Sequence, residues 1–283
     1  MKKAKAAIMM LRPVNCVMMG FAVFVGAVLA NPSFHLDTWL GILYGFLTGF
    51  MLTGAAMVVN DYYDRAIDAI NEPARPIPSG VVSPREALFL ATLTSVAGFV
   101  FALLTNFLCL GVAVISWILV VTYLTVGKRS GLPGNFLVSA CVAAPFVYGS
   151  VAATGQVQPS VWLFAAMAFL SNTGREITKG IVDVKGDQAE GVKTLAVRYG
   201  EKAAAVVASL FYFSAVALTP LPLSLGLVSL WFVPVVLVTD IGLVVCSINL
   251  LRDYTRESAR KIKKAVLFLF LIGLLAYLIG VLT

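Results

Sequence analysis

Residues 37–68 read DTWLGILYGFLTGFMLTGAAMVVNDYYDRAID. The first part, 37–59, carries one charge, Asp37 at its edge, and is otherwise apolar or weakly polar. As a helix it reaches about 34 Å at about 1.5 Å per residue, enough to cross a hydrocarbon core of about 30 Å. The chain then turns polar at once, with Asn60, Asp61, Asp64 and Asp68 in quick succession. The stretch reads as a membrane-spanning helix that delivers carboxylates to one surface of the bilayer.

The rest of the chain repeats the apolar half of this pattern. Mean hydropathy is +0.93, with 60% apolar and 12% charged residues, about half the charge of a soluble domain. Runs of bilayer length fall at 13–30, 37–59, 84–104, 107–126, 134–153, 160–178, 203–220, 228–250 and 264–282. The expectation is an all-α, polytopic membrane protein of about nine transmembrane helices, with 1–283 forming a single membrane-embedded domain. All 21 Lys and Arg fall in the N-terminal segment or in the second, fourth, sixth and eighth connections. Under the positive-inside rule this predicts a multi-pass plasma membrane protein with a cytosolic N-terminus and an external C-terminus. Lysine-rich residues 2–5, the first apolar run and small Val28 and Ala30 also have the shape of a signal peptide. Cleavage there would leave eight spans and discard Arg12 and Asn15.

The net charge of +7 therefore reflects topology and contact with acidic membrane lipids, and no nucleic-acid partner is expected. Cys16, Cys109, Cys141 and Cys246 lie inside apolar runs with no C-x-x-C pair, so neither a zinc site nor a disulfide framework is predicted. The single histidine, His35, falls in a connection on the other side, which argues against histidine acid–base chemistry.

Of 14 acidic residues, only Asp37 and Asp240 lie off the predicted cytosolic side. On a helix, Asn60, Asp64 and Asp68 share a face, with Asp61 alongside. Asp183 and Asp187 form a second pair one turn apart. Carboxylates stacked this way repel one another, and a shared cation removes the repulsion. Oxygen-only ligands without His or Cys favour a hard ion, Mg²⁺ above all, completed by water and phosphate. A calcium loop is disfavoured because the second cluster lacks the D-x-[DN]-x-[DN]-G series. The alternative is that these aspartates pair with Arg65, Lys179 and Lys185 on solvated helix ends. Two Mg²⁺ would leave five aspartates and a diphosphate of about −3 with an excess of roughly four negative charges. Arg75, in the stiff Glu72–Pro78 stretch, and Lys128 and Arg129 are candidates to meet it. The matched positions of the two clusters suggest an internal repeat, about 10–130 and 131–250, followed by the ninth helix. Asp240, near the middle of span eight, is either functional or a hydrogen-bonded structural group.

Asn60-Asp61-x-x-Asp64-x-x-x-Asp68, Asp183-x-x-x-Asp187, the Ile70–Gly80 run and Tyr123 with Lys128-Arg129 together resemble the UbiA superfamily of intramembrane prenyltransferases. Arg175-Glu176-Ile177-x-Lys179 leading into the second motif looks most like that family's archaeal digeranylgeranylglyceryl phosphate synthase branch. The resemblance implies a helical bundle around a central cavity with cytosolic cap segments. It implies Mg²⁺-dependent prenyl transfer from an allylic diphosphate, geranylgeranyl diphosphate in this branch, to a lipid acceptor, geranylgeranylglyceryl phosphate, through a carbocation. It also implies roles for residues here. Asp64, Asp68, Asp183, Asp187 and Tyr123 would be catalytic, the last through its ring face. Asn60, Asp61, Asp64, Asp68, Asp183 and Asp187 would hold metal, and Asn60, Arg75, Lys128, Arg129 and Lys179 would bind substrate, with Arg175 or Lys179 meeting the acceptor phosphate. The Pro-Ile-Pro-Ser-Gly run is also similar to chlorophyll-synthase-type members, and quinone-pathway members share the core motifs, so an aromatic acceptor stays open. A transporter is the alternative of another class, but transporter sites sit near the bilayer midplane, whereas these carboxylates gather at one face.

Overall fold

A bilayer core offers no water, so each backbone amide must be bonded within its own helix. The described residues, 2–33 and 36–283, follow this rule in a computed structural model, forming helices joined by turns and no strands. His35 lies outside the described residues. In chain order the helices are α1 (Lys2–Leu11), α2 (Pro13–Ala30), α3 (Leu36–Tyr63), α4 (Arg65–Asn71), α5 (Pro84–Thr105), α6 (Phe107–Thr125), α7 (Leu132–Thr154), α8 (Pro159–Ala189), α9 (Leu195–Tyr199), α10 (Glu201–Leu218), α11 (Pro220–Ser224), α12 (Phe232–Arg252) and α13 (Arg256–Leu282). A 3₁₀ turn, Gly127–Ser130, follows α6.

Nine of these are long, and eight are apolar enough throughout to cross a membrane, with α1 and α2 counted as one span. The ninth is α8, which holds the predicted sixth span, 160–178, and then continues for three polar turns past it. Ser171, Asn172 and Thr173 dilute its apolar character. All three are buried and bonded: Ser171 donates to the Met167 carbonyl (2.7 Å), and Asn172 and Thr173 donate to the Ser139 hydroxyl of α7 (3.2 and 2.8 Å). Polar contacts of this kind join helices in lipid.

Two predicted boundaries shift. Span eight begins at Phe232 rather than 228, because residues 225–231 form a turn whose Ser229 amide donates to the Gly280 carbonyl. Span nine begins at Arg256 rather than 264, where the Thr255 hydroxyl caps the Ser258 amide and carries a polar extension out of the bilayer.

Helices α3 and α5, α2 and α7, α8 and α10, and α12 and α13 form the most extensive pairs. The α2–α7 pair is close enough to exclude side chains. A Cβ on Gly149 would lie 2.6 Å from the Ala27 amide nitrogen, and one on Gly26 would lie 2.6 Å from the Phe146 Cα. On α6, Gly111 by contrast faces open space. Gly149→Val should therefore lower the thermal unfolding midpoint in detergent, by an overpacking penalty of at least about 2 kcal/mol. Gly111→Ala should leave the midpoint unchanged or raise it, and equal effects of the two substitutions would contradict this packing.

Candidate functional site

The end of α3 bends without breaking. Asp64 leaves the helical region (φ −84°, ψ 0°), yet its amide still bonds to the Asn60 carbonyl and its own carbonyl still accepts from Asp68 (2.9 and 2.7 Å). Asn60, Asp64 and Asp68 consequently stay on one side, and the Asn60 amide donates to Asp64 Oδ2 at 2.9 Å.

The short α4 then docks on the polar extension of α8. Its contact is Gly186, where an added Cβ would collide with the Asn71 side chain and approach Ile67 to 3.0 Å. The Asn71 amide also reaches the Asp183 carbonyl at 3.5 Å. A residue without a side chain thus brings both aspartate clusters to one space of about 620 Å³.

Asn60, Asp64, Asp68, Arg75, Tyr123, Lys128, Lys179, Asp183 and Asp187 all line this space. Three expected site residues, Asp61, Arg129 and Arg175, do not. Asp61 faces Arg12, whose Nη2 donates to Oδ1 at 2.5 Å, and Arg75, at 3.4 Å. Arg129 is exposed. Sequence reading missed Arg12, Asn71, Asn135, Glu176 and Thr194, which also line the space. Arg12 carries a backbone signal that only structure reveals: it is the sole non-glycine with positive φ among the described residues (φ 52°, ψ 67°). Such a conformation costs of order 1–3 kcal/mol and persists where its surroundings enforce it. Here the Asp61 ion pair and Pro13, which opens α2, hold it.

Cations occupy the carboxylates. Lys128 pairs with Asp64, Arg75 Nη1 with Asp68 at 2.6 Å, and Arg175 and Lys179 with Glu176 at 3.2 and 3.5 Å. Tyr123 lies within electrostatic range of Lys179, Glu176, Asp64 and Asp187. Among the described residues, no three acidic, histidine or cysteine side chains gather tightly enough to enclose an ion alone. Mg²⁺ does not need that, because it takes one or two carboxylates and fills its shell with water and phosphate. The oxygen-only donors from two facing helices fit such an ion.

Burial sets the protonation of this site. It pushes the Asp68 carboxyl up to about 6, against the pull of Arg75 and with the help of Asp64. On the part of α8 beyond the span, burial and then Asp183 push Asp187 up to about 7.

The profile of the UbiA prenyltransferase family matches residues 19–278. A digeranylgeranylglyceryl phosphate synthase of Archaeoglobus fulgidus is 39% identical over 275 residues, covering 96% of this chain and 93% of that one. A solved structure described for digeranylgeranylglyceryl phosphate synthase in membranes superposes with a TM-score of 0.74 at 31% identity, over 100% of this chain and 99% of that one. A UbiA homolog from Archaeoglobus fulgidus, solved with GPP and Mg²⁺, shares the fold (TM-score 0.65, 15% identity, 96% and 99% coverage).

Both raised carboxyls exceed the ordinary value of about 3.9, so folded protein without metal holds protons that the unfolded chain has lost. Its stability should fall as pH rises from about 4 to about 7. Mg²⁺ binds the deprotonated groups and should raise the unfolding midpoint much more at pH 8 than at pH 5. The same Mg²⁺ shift at both pH values would contradict the assignment of Asp68 and Asp187 to the ion.

Proposed function

The chain belongs to the UbiA prenyltransferase family, and from that premise we propose that it transfers a geranylgeranyl group from its diphosphate to a glycerol hydroxyl of geranylgeranylglyceryl phosphate, a step of archaeal ether-lipid synthesis. The observation that carries this reading is the meeting of two aspartate clusters with Lys128 and Arg75 at the polar end of an apolar bundle. Relatives bearing the corresponding synthase name match nearly the whole chain, which supports the lipid acceptor over an aromatic one.

Asn60, Asp64, Asp68, Asp183 and Asp187 would hold Mg²⁺, two ions in this reading. When bound, the ions supply Lewis-acid stabilisation of the diphosphate oxygens. Lys128 and Arg75, which pair with Asp64 and Asp68, would offer their charge to the diphosphate as the bond to the prenyl C1 breaks. Tyr123 presents its ring to the allylic cation, an attraction of about 0.5–2 kcal/mol. The acceptor oxygen then bonds to C1, and its proton passes to the released diphosphate or to a neighbouring carboxylate. Asp61 serves indirectly by fixing Arg75 between two carboxylates.

The chain acts as one domain, and the placement of α4 and the end of α8 on either side of the site suits the proposed repeat. We also place the site and the N-terminus in the cytosol and the C-terminus outside, because the basic ends gather at one pole. A cysteine introduced at Lys3 should react with an impermeant thiol reagent only in permeabilised cells. Labelling of intact cells would reverse the orientation.

The test of function is turnover by purified protein with geranylgeranyl diphosphate, the phospholipid acceptor and Mg²⁺. Asp64→Ala and Asp183→Ala should each lower turnover at least about 100-fold while the unfolding midpoint stays within a few degrees, as removal of a charge-stabilising group does. EDTA should stop the reaction and added Mg²⁺ restore it. Activity that survives chelation, or near-normal rates in both variants, would refute the metal-dependent site.

A further inference from the structure

Outward of the diphosphate site lies a second, partly open cavity between α2, α7, α8, α10, α12 and α13, lined mostly by apolar groups such as Met18, Met167 and Phe270, with Asp240 on its wall. Its position relative to α8 and α13 is specific. On α8, Ala168 and Ser171 of the cavity are followed by Arg175 and then Lys179 at spacings of three, four and four residues, so all four follow one face. On α13, Lys263 precedes Phe270 and Gly273 of the cavity by seven and ten residues, again along one face. The helical rise puts Lys263 about 10 Å from Phe270 toward the polar end. Both helices thus carry cations directly above the same apolar space.

These cations are short of negative charge. Arg175, Lys179 and Lys263 are all in electrostatic range of buried Glu176, which pairs with the first two. Lys263 makes no ion pair among the described residues, and Asp183, its other acidic neighbour, belongs to the metal cluster. The Arg175 Nε–H is buried without a hydrogen-bond partner. Three cations against Glu176, and Asp183 that Lys179 and Lys263 share with the metal cluster, leave a surplus of +1 to +2 in a partly desolvated corner, where unbalanced charge is costly. A phosphomonoester carries about −1.5 to −2 at neutral pH, and the free edge of a guanidinium suits its oxygens.

We propose that Arg175, Lys179 and Lys263 form the phosphate site of an amphiphilic phosphomonoester, the acceptor lipid, whose hydrocarbon chain fills the cavity beneath. The assignment rests on the prenyl-transfer reading and extends it, because Lys263 and the cavity lie outside the diphosphate site. Helix α8 then divides the substrates. Asp183 and Asp187 address the donor, Ser171 and Arg175 the acceptor, and Lys179 stands at the boundary where the two must react.

The test compares Michaelis constants for donor and acceptor. Lys263→Gln should raise the acceptor KM about tenfold or more, as loss of one charge-assisted bond does, with less than a twofold change for geranylgeranyl diphosphate. Gly273→Leu, which projects into the cavity near Thr239, should raise the acceptor KM in the same way. Lys128→Ala should do the reverse and act on the donor. Wild type should prefer the phosphorylated acceptor over its dephosphorylated alcohol, and Lys263→Gln should lose most of that preference. Acceptor binding to Mg²⁺-free wild type, followed by calorimetry beside inorganic phosphate, separates this proposal from the catalytic one. Tight binding of the lipid that Lys263→Gln weakens supports the site even if no acceptor turns over. Donor and acceptor constants that rise together, or a donor effect from Gly273→Leu, would overturn it. Inorganic phosphate binding as tightly as the lipid would overturn the role of the cavity.

Discussion

Everything at the polar end of this bundle depends on the balance between carboxylates and cations in a poorly solvated rim. Asp61, Asp64 and Asp68 leave α3 and α4 within two turns of one another, and Asp187 faces them from α8. Such a cluster would repel itself were it not for Arg12, Arg75 and Lys128, each of which reaches it from a different part of the chain. The pairing ties the end of α3 and α4 to the link before α2, to the 72–83 segment and to the turn after α6, while Asn71 on Gly186 holds α8 against them. In the proposed reaction a divalent ion and a diphosphate would replace the internal pairs with little change in total charge.

Helix α8 turns that balance into a division of labour. Its buried Ser171, Asn172 and Thr173 hold it in the bundle through α7 and its own carbonyls, and Gly174 lets Tyr212 of α10 pack against it. Thr178 and Tyr212 share a hydrogen bond one turn further on. The helix is thereby fixed on its structural sides before it reaches the polar region. Its two remaining faces then carry different charges at defined heights, one acidic toward α4 and one basic toward α13.

Much of this was legible from sequence, because lipid imposes simple rules. Bilayer length located the spans, including α8 with its polar middle, and the one-sided distribution of Lys and Arg predicted their alternation. Helical spacing was enough to align Asn60, Asp64 and Asp68, since the bend at Asp64 preserves the hydrogen bonds. It could not settle Asp61, which sits about 100° round the helix from Asn60, because its partner Arg12 lies in the link between α1 and α2. Lys128 and Arg129 looked equivalent as neighbours. In a 3₁₀ turn of three residues per turn consecutive side chains point about 120° apart, so only Lys128 faces inward. Asn71, Asn135 and Thr194 are ordinary polar residues whose relevance arises only when separate segments converge.

The polar start of α13 acts as a brace on the site. Arg256 donates to the carbonyls of Val182 and Asn71, and Arg260 pairs with Glu72, so the last helix clasps both the α4 cap and the end of α8. These are the segments that carry the two acidic clusters. Without those contacts, the packing of Asn71 on Gly186 would alone hold the two clusters opposite each other. The geometry of the polar end therefore depends on a helix that contributes no carboxylate to it.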